Sequence, residues 1–265
     1  MRMKIRKLNK KLIFIFPLLA YMMMSCGEET RLGKGDIEYK IHNYKIVSDD
    51  CDTSGRCAYV EFVYPAFSGP GNAASVRILN SYISTALMAD DYADSAVSSL
   101  DELGHKFIGE YENFISEFTD YSIGWALERK INVIHKDSNI ISLEFYEYSF
   151  MGGAHPNTVK TYQSFYLSTG DKVEIDDSSI VNKLTAIAEK EFRRIKNIPD
   201  DQALSDAGYW FENDEFYLND NFAITDEGIV FYFNPYEIAP YSLGPTKLIL
   251  TRDKAGSLIN EIINN

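Results

Sequence analysis

The chain has 265 residues, of which 45% are hydrophobic and 14% aromatic, and its formal net charge is −13. This composition excludes disorder as the main state, because enough apolar surface is present to form a core. The negative charge repels nucleic acid phosphates, and we therefore expect no nucleic-acid partner.

The first 25 residues predict a cleaved leader. Basic residues precede an apolar run of thirteen residues from Leu12 to Met24, and Ser25-Cys26 follows it. This order is typical of a secretory signal peptide, and the run is shorter than the roughly twenty residues that a membrane span needs. The sequence therefore predicts export, and ordinary secretion with an incidental Cys26 is one interpretation.

The ending Met23-Met24-Ser25-Cys26 resembles the lipobox of bacterial lipoproteins, with Met where Leu is usual. The resemblance implies that Cys26 is acylated after residues 1–25 are removed, and that residues 26–35 form a polar tether. We then expect an extracytoplasmic protein whose contact with the membrane is through its lipid. In a diderm bacterium it would lie on the outer membrane or the cell surface.

Loss of the leader also changes the charge. Removing its six basic residues leaves a net charge near −19 on the remaining chain. Such a surface attracts a basic protein partner, but it also serves simply to keep a lipoprotein soluble. Both interpretations stay open.

Cys51 and Cys57 are the two cysteines that follow Cys26. Outside the cytoplasm disulfides persist, and the residues between the two cysteines are turn-forming. A redox or metal pair is the alternative, but the spacing is not C-x-x-C and no histidine lies beside it. The sequence therefore predicts a structural disulfide.

Residues 36–150 predict an N-terminal α/β module. Alternating patterns around residues 37–41 and 58–64 predict a hairpin, and helical apolar stripes follow at residues 76–86 and 103–118. Strand patterns over residues 121–135 and 141–145 complete this part.

Residues 151–265 predict a C-terminal module. Gly152-Gly153 predicts a bend, followed by a strand at residues 158–167 and by a helix that begins near Asp176. A hairpin around residues 225–228, a strand at 247–251 and a terminal helix at 255–263 end the chain. Because strands and helices occur in clusters, we expect an α+β fold with mainly antiparallel sheets and helices packed on one face.

Two segments resemble a bacterial extracytoplasmic family, the RsiV-like and PdaC-like proteins. They are Gly152-Gly153-Ala154-His155-Pro156-Asn157 and the run from Gly228 through Asn234-Pro235-Tyr236-Glu237 to Pro240. The family includes the ectodomain of a lysozyme-sensing anti-sigma factor and the region preceding the catalytic domain of a peptidoglycan deacetylase. The chain has neither a sigma-binding segment nor a deacetylase domain, so neither activity is carried over.

The resemblance implies a cell-envelope binding or sensing module, whose partner is an envelope glycan or a basic protein such as lysozyme. We place the candidate binding residues on the loops of the two motifs, where tyrosines offer rigid contact area or, alternatively, cap the sheet. They are Gly152, Gly153, His155, Asn157, Asn234, Tyr236 and Tyr241.

An enzyme acting on cell-wall glycan is the alternative function, either as a hydrolase or in association with a deacetylase. The chain has no nucleophile motif, and its many carboxylates make adjacent pairs uninformative. The four histidines show no metal-ligand spacing. We therefore assign no catalytic residue, no metal and no cofactor.

Overall fold

A computed structural model describes residues 37–49, 51, 57–69, 73–89 and 97–264. It contains eight strands and four α-helices in the described residues, together with three short 3₁₀ turns at Ser205–Ala207, Glu212–Asp214 and Tyr241–Leu243. The strands are β1 (Glu38–Val47), β2 (Tyr59–Ser68), β3 (Ala126–Lys136), β4 (Ile140–Phe150), β5 (Asn157–Tyr166), β6 (Phe222–Ile224), β7 (Gly228–Phe233) and β8 (Thr246–Thr251). The helices are α1 (Ala73–Met88), α2 (Leu100–Glu117), α3 (Ser178–Lys196) and α4 (Arg252–Asn264).

The strands form two sheets. The first has five strands in the order β1-β2-β3-β4-β5, and the second has three in the order β6-β7-β8. All neighbouring pairs are antiparallel except β2 and β3, which run parallel. A parallel pair needs a long crossover, and α1 and α2 supply it. The predicted α+β class with mainly antiparallel sheets is confirmed.

Each sheet has one face covered by two helices. Buried residues of α1 and α2, such as Leu79 and Phe107, form one core with the first sheet. Those of α3 and α4, such as Leu184 and Ile259, form another with the second sheet. A small third cluster around Tyr162 and Val230 joins the two sheets. The division of the sequence into modules at residue 150 stays a prediction; β5 pairs with β4 in the first sheet.

Local signals explain where the helices begin and end. Asp177 precedes α3 and accepts a hydrogen bond from the Ser179 amide at 2.7 Å, as the sequence predicted for this segment. Asn197 ends the helix in the left-handed conformation. Ser99 caps α2 by accepting from the Glu102 amide. The strand predicted from residue 121 begins instead at Ala126, because Tyr121 packs edge-on against Phe114 of α2.

A carboxylate bridge joins α3 to α4. Glu191, only 8% exposed, accepts hydrogen bonds from Arg194 on its own helix and from Lys254 on α4, the latter at 2.6 Å. The hydrogen bond from Arg194, with that from Lys254, outweighs burial and lowers the pKa of Glu191 to about 2.

Replacing this carboxylate should destabilise the protein in a pH-dependent way. We expect Glu191→Gln to cost roughly 1–3 kcal/mol at neutral pH, the range for charged hydrogen bonds. Because folding lowers the pKa from its ordinary 4.5, the contribution is full above about pH 4.5 and is lost as the pH falls through about 2. Urea unfolding of both proteins across this range measures it. The exposed Glu261→Gln on α4 is the control, and an equal loss in both variants would contradict the bridge.

Candidate functional site

The Gly-Gly segment forms the turn between β4 and β5. Gly152 and Gly153 have φ values of +90° and +104°, which side chains with a Cβ rarely adopt. A Cβ at position 152 would also collide with the hydroxyl of Tyr121, whereas one at position 153 would meet open space. The turn thus depends on backbone conformation at both positions and on close approach at Gly152 alone.

The second motif forms a loop after β7 that is fixed by its own polar groups. The carboxylate of Glu237 accepts a hydrogen bond from the Asn234 amide at 2.8 Å and another from the side chain of Asn219. Tyr236 lies between them with φ +67°, in the left-handed region, and its ring is 56% exposed. A tyrosine in this conformation is uncommon and carries strain of roughly 1–2 kcal/mol.

The structure brings the two motifs together through three rings. His155 stacks on Tyr241, with centroids 3.9 Å apart and planes 13° apart, and Tyr236 lies 5.6 Å from Tyr241. We call His155, Tyr236 and Tyr241 the aromatic cluster. It lies at the protein surface, since His155 and Tyr236 are exposed and Tyr241 is half-buried.

Hydrogen bonds fix the orientation of the His155 ring. Nδ1 lies 3.0 Å from the Pro156 carbonyl, which can only accept, so this contact assigns the proton to Nδ1. Nε2 then accepts from the Tyr236 hydroxyl at 3.3 Å. The histidine therefore satisfies one backbone group and also contacts a tyrosine from the other motif.

Asn234 and Asn157 lie elsewhere. The side-chain amide of Asn234 accepts from the Lys160 backbone N–H at 2.7 Å and donates to the Lys160 carbonyl at 3.0 Å. The side-chain amide of Asn221 likewise accepts from the Tyr162 backbone N–H and donates to the Lys160 carbonyl. These two amides replace a neighbouring strand along the outer edge of β5. Asn157, at the start of β5, lines a cavity on the first sheet instead of joining the aromatic cluster.

A polar network that the sequence did not reveal lies between the two sheets. Glu144 on β4 pairs with Lys160 at 2.8 Å and accepts from the Tyr162 hydroxyl at 3.0 Å. Burial alone would raise the pKa of Glu144, but the hydrogen bonds from Lys160 and Tyr162 bring it below its ordinary value. Burial and the Glu144 charge raise the pKa of Tyr162. Lys160 and Tyr162 lie 16 and 18 positions after Glu144 in the sequence, and such cross-strand contacts are not visible in a single chain.

Glu144 and Tyr162 also line a cavity of about 250 Å³ beside Asp226 and Lys247. A glycoside hydrolase needs a carboxylic acid whose pKa is raised, and Glu144 has the opposite shift. The enzyme alternative stays a prediction that this cavity does not strengthen.

The carboxylate of Asp214 has a structural role. Asp214 accepts hydrogen bonds from the backbone amides of Leu204 and Ser205. Among the residues that the structure describes, no group of three or more His, Cys, Asp or Glu side chains could hold a metal ion.

Cys51 and Cys57 form a disulfide, with Cα atoms 4.5 Å apart, which confirms the predicted pairing. Cys26 and the leader lie outside the described residues. No helix in the described ranges is long and apolar enough to cross a membrane.

Two separate parts of the chain match families of known proteins. Residues 52–158 match the family described as "Deacetylase PdaC", and residues 173–253 match the family described as "Protein of unknown function (DUF3298)". The chain is thus a cell-envelope module related to a peptidoglycan deacetylase. Its N-terminal part is similar to PdaC-type domains and its C-terminal part to DUF3298 domains.

Individual proteins are also similar to parts of the chain. The peptidoglycan-N-acetylmuramic acid deacetylase PdaC of Bacillus subtilis is 28% identical over 134 residues, which are 49% of this chain and 28% of that enzyme. The chain therefore spans little more than a quarter of its curated relative. The immunogenic protein MPT64 of Mycobacterium tuberculosis is 41% identical over 39 residues, or 15% of this chain and 17% of that protein.

Solved structures share the fold. A DUF3298 family member from Bacteroides fragilis superposes with a TM-score of 0.69 at 18% identity, covering 88% of this chain and 99% of the other. A second, from Pseudomonas aeruginosa, gives 0.60 at 16% identity and covers 84% and 94%. The predicted family shared with PdaC-like proteins is confirmed, while the resemblance to the anti-sigma factor stays a prediction.

Proposed function

We propose that this chain is a lipid-anchored module of the cell envelope that binds the glycan of peptidoglycan through the aromatic cluster. The single observation that carries the proposal is Tyr236, whose ring is exposed while its backbone is strained. Backbone strain at an exposed position gives the fold no advantage, and such strain concentrates at binding sites.

The chemistry of the cluster suits a sugar. Pyranose rings have one face of C–H groups, which packs on the flat face of an aromatic ring, while hydroxyls bond to polar edges. Tyr236 and Tyr241 supply such faces together with hydroxyl groups, and the contact with His155 fixes their geometry in advance. The relative named above acts on peptidoglycan N-acetylmuramic acid, which supports the same ligand class here.

Sedimentation with purified peptidoglycan sacculi tests this proposal. We expect Tyr236→Asn to lower binding at least fivefold without lowering the melting temperature, because asparagine tolerates the left-handed backbone. Tyr241→Ala should have a similar effect on binding. Tyr39→Ala, which removes a ring that is 40% exposed on β1, is the matched control and should bind normally.

Two outcomes would refute glycan binding at this cluster: no sedimentation of the unaltered protein, or full binding by Tyr236→Asn. Repeating the assay at about 0.05 M and about 0.5 M salt separates a glycan from a basic protein such as lysozyme. Binding by ring stacking should change little, whereas capture of a basic protein by the acidic surface should weaken strongly.

A further inference from the structure

A second cavity lies between α1 and strands β3 to β5. It is on the face of the first sheet opposite to the cavity that Glu144 and Tyr162 line. Its volume is about 290 Å³, just below the roughly 300–1,000 Å³ of small-molecule sites. Asn157 at its rim is two residues beyond His155, so β5 connects this cavity to the aromatic cluster. Asn157 is the residue of the two sequence motifs that lines it.

One wall of the cavity is aromatic. Tyr82 of α1 packs edge-on against Phe145 of β4, with ring centroids 6.2 Å apart, and both rings line the cavity. Phe165 supports Tyr82 from below at 5.0 Å. The wall is therefore held in place before any ligand arrives.

The opposite side is formed by β5, which contributes several polar side chains. Asn157, Thr161 and Gln163 line the cavity together with Val159, which is the one apolar residue among these four positions of β5. Successive odd-numbered residues of a strand face the same side, so these groups share one face of β5, and Asn157, Val159 and Thr161 are exposed there. Amide and hydroxyl groups in this position suit a ligand that carries several hydroxyls.

The two cationic side chains that line the cavity differ in whether a carboxylate compensates their charge. Arg129, whose side chain is 5% exposed, donates to Glu147 and to the Leu87 carbonyl, each at 2.7 Å, so its charge is compensated. Lys172 lies at the rim with Nζ 4.8 Å above the Tyr82 ring, and it makes no ion pair with any described residue. In a chain of net charge −13, a cation held over an aromatic wall without a carboxylate partner marks a place for an anionic group.

We propose that this cavity binds one pyranose unit that carries a carboxylate. The C–H face of the sugar packs on Tyr82 and Phe145, the hydroxyls bond to the amides and hydroxyl of β5, and the carboxylate pairs with Lys172. The ligand class rests on the proposed function, while the location and the charge preference come from the cavity itself.

Two sugars provide a matched pair of probes. N-acetylmuramic acid and N-acetylglucosamine differ by the lactyl ether that carries the carboxylate. In NMR titrations of the protein, we expect the first to bind at least fivefold more tightly than the second. Lys172→Gln should abolish this difference, and Lys183→Gln, which removes an exposed lysine on α3, should preserve it.

A second variant tests whether the sugars bind in the cavity itself, without changing any charge. Ala86→Leu keeps a good helix former in α1 but fills part of the cavity, so it should weaken both sugars while leaving the melting temperature close to that of the unaltered protein. Equal affinity for the two sugars, or an undiminished preference in Lys172→Gln, would overturn the cavity proposal.

Sedimentation with sacculi separates this result from the function proposed above. If sacculi retain the protein and the aromatic-cluster variants lose binding, while the sugars show no carboxylate preference, only the cavity inference fails. If the sugars bind in the cavity as described but sacculi do not retain the protein, the cavity stands and the aromatic cluster loses its role.

Discussion

Replacing Gly228 by alanine should destabilise the protein by roughly 3–5 kcal/mol, the largest loss that we expect from a single methyl group. Gly228 begins β7 with φ +148°, and a Cβ there would run into the backbone carbonyl of Leu250 on β8. A backbone carbonyl cannot move aside as a side chain can, so the strain of the conformation adds to a collision between paired strands.

Gly153→Ala separates these two contributions. Gly153 also has a positive φ, but its added Cβ meets nothing within contact distance, so we expect a loss of only about 1–2 kcal/mol. Urea unfolding at neutral pH measures both variants against the unaltered protein. Similar losses at the two positions would show that the collision with Leu250 is relieved by strand movement.

Replacing Cys26 by serine should release the protein almost completely from membranes into the soluble fraction. An acyl chain stabilises membrane attachment by about 0.8 kcal/mol per buried methylene, and serine cannot carry the thioether through which a lipoprotein is anchored.

Detergent partitioning of cell fractions measures the effect, with the disulfide pair as a control. Cys51→Ser with Cys57→Ser removes two cysteines that are bonded to each other, and this variant should stay with the membrane. Unchanged partitioning of Cys26→Ser would contradict the lipoprotein assignment and leave ordinary secretion.

Much of the fold was predictable from local patterns. The cap of α3 at Asp177 and the hairpin between β6 and β7 follow from turn and capping chemistry, which acts over a few residues. The parallel pairing of β2 with β3 could not be predicted from such local patterns, because it joins segments more than 50 residues apart. The early start predicted for β3 was wrong for a similar reason, since packing against α2 overrides the strand propensity of Tyr121.

The candidate site was partly predictable. The two motifs contain His155 and Tyr236, the tyrosine-rich loop that follows adds Tyr241, and the structure brings these rings together. The left-handed backbone of Tyr236 could not be read from the sequence, because tyrosine gives no signal for it. The pairing of Lys172 with Tyr82 was also invisible, since it forms only when α1 packs over the sheet.

The side-chain amides on β5 have a further consequence for how copies of the protein meet. A free edge strand presents N–H and C=O groups on which another extended chain can assemble, and repeated pairing of this kind produces fibrils. On β5 the amides of Asn221 and Asn234 already occupy these groups at Lys160 and Tyr162, and a side-chain amide cannot propagate a ladder. The opposite edge, β1, is exposed and carries Lys40 and Lys45, and lysines on an edge strand disfavour pairing with another chain. Both edges of the first sheet therefore disfavour edge-to-edge pairing with another copy of the protein, even at high protein concentration.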